Sequence, residues 1–285
     1  MGRRLQKALA FLQDAYPKHS PAFFGVGATR SGTTFLHALL AQHSQIFMPR
    51  TKELHYFNDE RLYRPDLAGY YRLFDGYGGE PVYGEITPLY LMKGALYGLD
   101  GKLTYGNNIS AIDRIAEHFP DAKIIVSLRD PIGRIASSYE KGLGQGKFTV
   151  ALEDRLRTEL GGMPSSFGLI YGSRYDIHLK HVLSRFSRDK VKVLIFEEWT
   201  RDVPSTYATL QSFLDLDQEL YTPPPREALN RREQYAGKAD TSAAAHVSPA
   251  VFDELAESLK PAIDFVTRLV GHELPWTSVS SRISL

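Results

Sequence analysis

The sequence predicts an α/β fold: a three-layer sandwich in which helices cover both faces of a mostly parallel central sheet. Two observations carry that expectation. Short runs with strand character alternate along the chain with longer stretches of helical periodicity, the order in which strand–helix–strand units build a parallel sheet. The runs themselves, such as "AFFGV" and "KIIVSL", are compact and apolar, as strands buried beneath helices on both sides must be.

"AFFGV" (22–26) is the first strand and runs into the glycine loop "GATRSGTT". "TFLHALLAQH" then places Phe35, Leu36, Leu39 and Leu40 on one helical face. "VYGEI" (82–86) is a second strand. In "SAIDRIAEHF", Ser110 and Asp113 have the spacing of a capping box, and Ile112, Ile115, Ala116 and Phe119 form the apolar face. Pro120 and Asp121 turn the chain into the strand "KIIVSL" (123–128). Asp130 can cap a helix beginning at Pro131, where a missing N–H is harmless. A helix over 172–186 carries Tyr175, Leu179, Val182, Leu183 and Phe186 in register; "VKVLIF" (191–196) is a further strand, and a helix follows near 205–214. Residues 1–20 read as an N-terminal helical extension, and 222–247, rich in Pro, charge and small residues, as a long loop or lid. Ser248 and Pro249 open a last helix that Pro261 is expected to kink or interrupt. With no internal repeat and no clean linker, residues 1–285 read as a single domain.

Bulk properties narrow the function. The 285 residues carry 34 Lys and Arg against 33 Asp and Glu, a net charge of +1, so there is no global attraction to nucleic acid. The absence of cysteine excludes disulfides, thiolate metal sites and cysteine nucleophiles. No apolar run approaches the roughly 18 residues of a membrane span. The first 20 residues lack a small-residue cleavage site, and Gln6 stands where a myristoylation signal needs Ser or Thr. These features lead to the expectation of a soluble, cytoplasmic protein without membrane insertion. Its oligomeric state leaves no trace in the sequence.

The loop after the first strand holds the first chemical signal. A strand, a glycine turn and a helix bring backbone N–H groups and a positive helix end to one point, where anions bind. Gly27 and Gly32 have the spacing of the phosphate loop of P-loop NTPases, but Thr33 and Thr34 follow where that loop has Lys and Ser/Thr. Thr29, Ser31, Thr33 and Thr34 can donate to an anion, and Arg30 adds a fixed charge with forked donors. The second signal is "LRDPIGRIASSYEKG", again a strand end leading into a helix, with Arg129 and Ser137 near the helix start. Read singly, the first segment can also be a glycine turn before a structural helix, and the second reads as a capped helix with a solvated Arg.

Together the two segments closely resemble the family of sulfotransferases that use 3′-phosphoadenosine 5′-phosphosulfate (PAPS), on a P-loop NTPase-like fold. The resemblance implies that "GATRSGTT" (Thr29, Arg30, Ser31, Gly32, Thr33, Thr34) holds the 5′-phosphosulfate end of the donor. The R-D-P-x-x-R-x-x-S-x-Y segment then holds the 3′-phosphate through Arg129 and Ser137. "KELHYF" (52–57) and "GEITPLY" (84–90) are similar to segments of the branch that includes heparan sulfate sulfotransferases. "YGSRYDIHLKHVLSRF" (171–186), opening on Tyr171, matches a more widely shared donor-side segment. The family needs no metal. The chain departs from the pattern in having Arg30 where many relatives have Lys and Ile86 where glycan-specific relatives often have Lys. The family's late basic loop has no clean counterpart, Arg231, Arg232 and Lys238 being its candidates.

The resemblance makes Glu53 the general base that takes the acceptor's proton; read alone, it is an exposed loop carboxylate. His55, two residues on, is the alternative base or a hydrogen-bond partner, and Lys52 can hold charge near the transferred group. Glu85 and Thr87 either order the acceptor side or close the strand end. His178 and His181 read as a partly exposed helical face, and the Tyr and Phe residues of 56–97 as acceptor pocket or core. The expected reaction is in-line sulfuryl transfer from PAPS to a hydroxyl, less readily an amine, of a small molecule or carbohydrate. Two other readings stay open: a P-loop kinase of small metabolites, and a catalytically inactive nucleotide-binding protein on the same fold.

Overall fold

The computed structural model describes residues 17, 19–162, 168–223 and 247–276. Its strands are β1 (Phe23–Gly27), β2 (Ile46–Phe47), β3 (Val82–Ile86), β4 (Leu96–Tyr97), β5 (Leu103–Thr104), β6 (Lys123–Leu128) and β7 (Val191–Ile195). β4 and β5 form a small antiparallel pair, and the others form one parallel sheet in the order β2–β3–β1–β6–β7. The helices are α1 (Thr33–Leu40), α2 (Ala68–Tyr71), α3 (Ala111–His118), α4 (Pro131–Gly144), α5 (Leu152–Leu160), α6 (Tyr175–Arg185), α7 (Phe196–Trp199), α8 (Val203–Phe213) and α9 (Pro249–Val270).

The strand pleat builds the layers. Phe23 and Ile125 face one side, where they pack with Leu36 and Leu39 of α1, Trp199 of α7 and Tyr207 and Leu210 of α8. Phe24, Val26, Ile124 and Val126 face the other, against Ile112 and Ile115 of α3, Leu179 and Val182 of α6, and Ala262 and Val266 of α9. The expected α/β sandwich is therefore the observed fold. β1 leads out to β2 and β3 on one side, and the chain then returns to β6 and β7 on the other. A parallel sheet opens a crevice at the strand ends where its order reverses in this way. The glycine loop after β1 and the Arg129 segment after β6 thus sit side by side at the sheet centre.

Local chemistry sets the element boundaries. Ser110 and Asp113 form the expected capping box, and Asp130 accepts from the backbone N–H groups of Ile132 and Gly133. α6 starts at Tyr175 rather than 172, because Tyr171–Ser173 form a 3₁₀ turn and the Ser173 hydroxyl donates to the Pro131 carbonyl at 3.1 Å. α8 starts ahead of 205, because Asp202 accepts from Ser205 N–H and Pro204 fits the first turn. Pro261 does not interrupt α9, which runs unbroken to Val270. The carbonyl that Pro261 leaves without a donor belongs to Glu257; both residues are exposed, so water satisfies it. Most of the N-terminal extension, and residues 224–246 of the expected lid with Arg231, Arg232 and Lys238, lie outside the described residues.

Candidate active site

The loop after β1 turns on two left-handed residues, Arg30 (φ 68°) and Gly32 (φ 78°). Gly32 also lies where a Cβ would come within 2.7 Å of the Phe196 and Trp199 rings, so no other residue fits. α1 begins at Thr33 with no side-chain cap, which leaves its first amides and the positive helix end for an external anion. The loop floor is fixed from below: Trp199 Nε1 donates to Ser127 Oγ at 2.9 Å, and Ser127 Oγ donates to the Ser31 carbonyl at 2.6 Å. Ser31 itself is buried, its Oγ without a partner among the described residues. Thr33 is buried, and Thr34 is exposed.

Arg30 Nε donates to Ser137 Oγ of α4 at 3.1 Å, joining the two segments across 107 positions of sequence. Arg129, at the end of β6, is half-buried with its guanidinium 5.3 Å from the centre of the Phe196 ring. Asp130 is engaged as the α4 cap. Sequence reading gave Arg134 no role, yet it is the largest of the fully buried side chains, 1% exposed. It donates to Ser173 Oγ (2.7 Å), Thr29 Oγ1 (2.9 Å) and the Leu169 carbonyl (2.5 Å). Burial pushes its guanidinium pKa down, against the opposing influence of Tyr175 and the charge of Glu159. Its signal in the sequence was an arginine on the inward face of an apolar helix, beside Ile135.

The third segment is the 52–58 loop beside the end of β3. Lys52 Nζ lies 2.5 Å from Glu53 Oε1, and His55 Nε2 lies 3.8 Å from Glu53 Oε2. Burial by itself would raise the Glu53 carboxyl, but the nearby His55 ring, the hydrogen bond and charge of Lys52 and the charge of Lys141 outweigh it and hold the group at about 2. Lys141, one helical turn beyond Ser137, is a second cation that sequence reading missed. Glu53 (φ 62°) and His55 (φ 55°) are both left-handed, a conformation non-glycine residues avoid. With Arg30, three of the five such non-glycine residues in the described structure lie in this site, as strain concentrated at functional positions does.

Elsewhere the side chains sort plainly. Tyr56, Phe57, Tyr70, Phe74, Tyr83 and Tyr90 are core; Tyr97 is half-buried, its ring centre 5.5 Å from that of His55 in an edge-to-face arrangement. Tyr171 donates its hydroxyl to the Lys93 carbonyl at 2.8 Å. His178 is not on an exposed face. It is 1% exposed, receives the Lys93 N–H at Nδ1 and donates from Nε2 to the Tyr171 carbonyl, and burial lowers its pKa to about 4. A helix with an apolar face on both α3 and α9 has no exposed side at that position.

A sequence model of the Sulfotransferase family matches residues 21–80 and 91–220, more than half of the chain. Among curated proteins, the human heparan sulfate glucosamine 3-O-sulfotransferase 3A1 is 27% identical over 211 residues, 73% of this chain and 47% of that protein. The membrane-associated sulfotransferase kil1 of Dictyostelium discoideum is 33% identical over 122 residues, 42% of this chain and 22% of that protein. The matches thus span less than half the length of either curated relative. Among solved structures, a sulfotransferase from Alicyclobacillus acidocaldarius superposes with a TM-score of 0.66 at 28% identity, covering 90% of this chain and 98% of that one. One expectation is corrected: with a membrane-associated relative at 33% identity, the cytoplasmic placement read from the sequence does not stand. Among the described residues no helix is long and apolar enough to cross a membrane, which leaves the location open. Fold, motif order and family model agree: the chain belongs to the sulfotransferase family.

Proposed function

We propose that the protein, acting as one domain, transfers a sulfuryl group from PAPS to a hydroxyl, less readily an amine, of a small-molecule or carbohydrate acceptor. The observation that carries this reading is the Arg30–Ser137 hydrogen bond, which brings two anion-binding segments to one place. The residues present fit a donor with two anionic ends. The uncapped start of α1, Arg30, Thr33 and Thr34 would hold one end; Arg129 and Ser137 would hold the other. Thr29 and Ser137 accept from Arg134 and Arg30, so each keeps its own hydroxyl hydrogen for an anionic oxygen.

The bound donor supplies a sulfuryl group on a good leaving phosphate. Arg30 neutralises charge growing on the bridging oxygen, and the loop amides hold it without rearrangement. Glu53, ionised throughout the working range, takes the acceptor's proton, and Lys52 and His55 orient its carboxylate. Asp130 is spent as a helix cap, which speaks against the Mg²⁺–ATP chemistry of a kinase. Thermal-shift measurement tests the reading: adenosine 3′,5′-bisphosphate should stabilise the protein, and stabilisation by ATP–Mg²⁺ alone would overturn it.

Three variants refine it. Arg129→Ala should weaken bisphosphate binding roughly 10- to 150-fold, the loss of one charge-assisted contact of about 1.5–3 kcal/mol. Unchanged affinity in titration calorimetry would remove Arg129 from the site. Arg30→Ala should lower turnover more than donor affinity, and the reverse split would deny it a transition-state role. Lys52→Met takes a cation from Glu53, so its carboxyl should rise and the acidic limb of kcat/KM should move to higher pH. A pH–rate profile identical to wild type would show that Lys52 does not set the base.

A further inference from the structure

Glu85 is fully buried near the end of β3, and among the described residues no Lys, Arg or His forms an ion pair with it. A buried carboxylate without a cation is costly, so its surroundings must make use of it. Two hydroxyls donate to it: Thr87 Oγ1 to Oε2 at 2.7 Å and Tyr90 Oη to Oε1 at 3.3 Å. Each hydroxyl turns its lone pairs to the strained loop. Thr87 Oγ1 receives the backbone N–H of His55 at 3.5 Å, and Tyr90 Oη receives that of Phe57 at 3.3 Å. Glu53 N–H donates to the carbonyl of Ile86, the residue next to Glu85, at 3.3 Å.

We infer that Glu85 is the positioning residue of the base loop: its carboxylate fixes the hydroxyl hydrogens of Thr87 and Tyr90, so that both oxygens hold the backbone that carries Glu53 and His55. The inference rests on the reading of Glu53 as the base, and it gives the E-x-T-P-x-Y spacing a physical meaning. A carboxylate accepts at both oxygens, which fixes both hydroxyls as acceptors toward the loop. A protonated Glu85 itself donates, so one hydroxyl accepts from it and its own hydrogen is released, which loosens the fixed geometry in which that oxygen holds the loop N–H. The titratable groups facing Glu85 are His55 and the phenols of Tyr90 and Tyr70, which burial keeps neutral. Burial raises Glu85 to about 7, so the two forms interchange near neutrality.

The signs separate positioning from mere support. A carboxyl raised on folding contributes stability that is present below the ordinary carboxylate range and lost as pH rises through about 7. The loop-holding form is the ionised one, present in the folded protein only above about 7. Glu85→Gln should therefore be at least as heat-stable as wild type at pH 8.5, yet turn over about tenfold or more slowly, the scale of a misplaced reacting group. Bisphosphate affinity should stay within about twofold, because the donor side is untouched. Wild-type turnover should rise with pH through about 7, and that limb should vanish in Glu85→Gln.

The experiment measures kcat, KM, bisphosphate affinity and melting temperature across pH for Glu85→Gln, Thr87→Val and Tyr90→Phe, beside Glu53→Gln. Wild-type turnover in all three, or a limb near pH 7 that survives Glu85→Gln, overturns the inference. If Glu85→Gln fails to fold, Thr87→Val and Tyr90→Phe decide on turnover against affinity. A fully active Glu53→Gln sinks the base reading itself. An inactive Glu53→Gln beside wild-type Glu85, Thr87 and Tyr90 variants sinks the positioning role alone.

Discussion

Glu53→Gln should lower sulfuryl transfer about 10²- to 10⁴-fold, the contribution of a well-placed general base. Glutamine keeps the size and can still accept the 2.5 Å contact from Lys52, but its amide has no useful proton affinity. Bisphosphate binding should be unchanged, since the donor-side residues lie on the loops after β1 and β6. Stability should change little: the carboxyl is depressed to about 2, so its stabilisation is present above the ordinary carboxylate range and lost only as pH falls toward 2. At 39% side-chain exposure, solvent screens even that contribution. Steady-state kinetics beside a bisphosphate titration checks the result. Full activity would deny Glu53 the proton transfer, and a larger loss in His55→Ala than in Glu53→Gln would pass that role to the histidine.

Arg134→Ala should destabilise the fold by about 3–5 kcal/mol, the range of a buried polar network broken at its hub. The truncation leaves a cavity and strips a donor from the Leu169 carbonyl, Ser173 and Thr29, which belong to two separate segments. Lysine is no remedy, because one ammonium cannot reproduce the planar fork that reaches all three. Urea unfolding should show the midpoint falling with the slope retained. Arg129→Ala is the contrast, costing affinity and little stability because its guanidinium is half open. A midpoint within error of wild type in Arg134→Ala would show that the buried guanidinium is not structural.

What could be read from the chain was local. The caps at Ser110 and Asp130, the strands 82–86 and 123–128 and the alternation that demands a parallel sheet follow from neighbouring residues and side-chain period. What escaped depends on partners distant in sequence. Arg134 and His178 are polar residues on covered faces of their helices, a fact that belongs to packing rather than to periodicity. Lys141 joins the site only because α4 runs past Arg30. Pro261 misled because the cost of a lost backbone donor depends on whether the orphaned carbonyl meets water. Of the aromatics between 56 and 97, Tyr97 differs only in lying on a small hairpin over His55.

The sheet order has an evolutionary consequence. Residues proposed to grip the donor hang from two adjacent central strands, β1 and β6, whereas the base loop and the β4–β5 hairpin hang from the β3 side. Lengthening of the hairpin tip, where Leu99 is already 79% exposed, leaves the loops after β1 and β6 untouched. Acceptor preference can then drift in descendants of this chain while the donor grip is inherited intact.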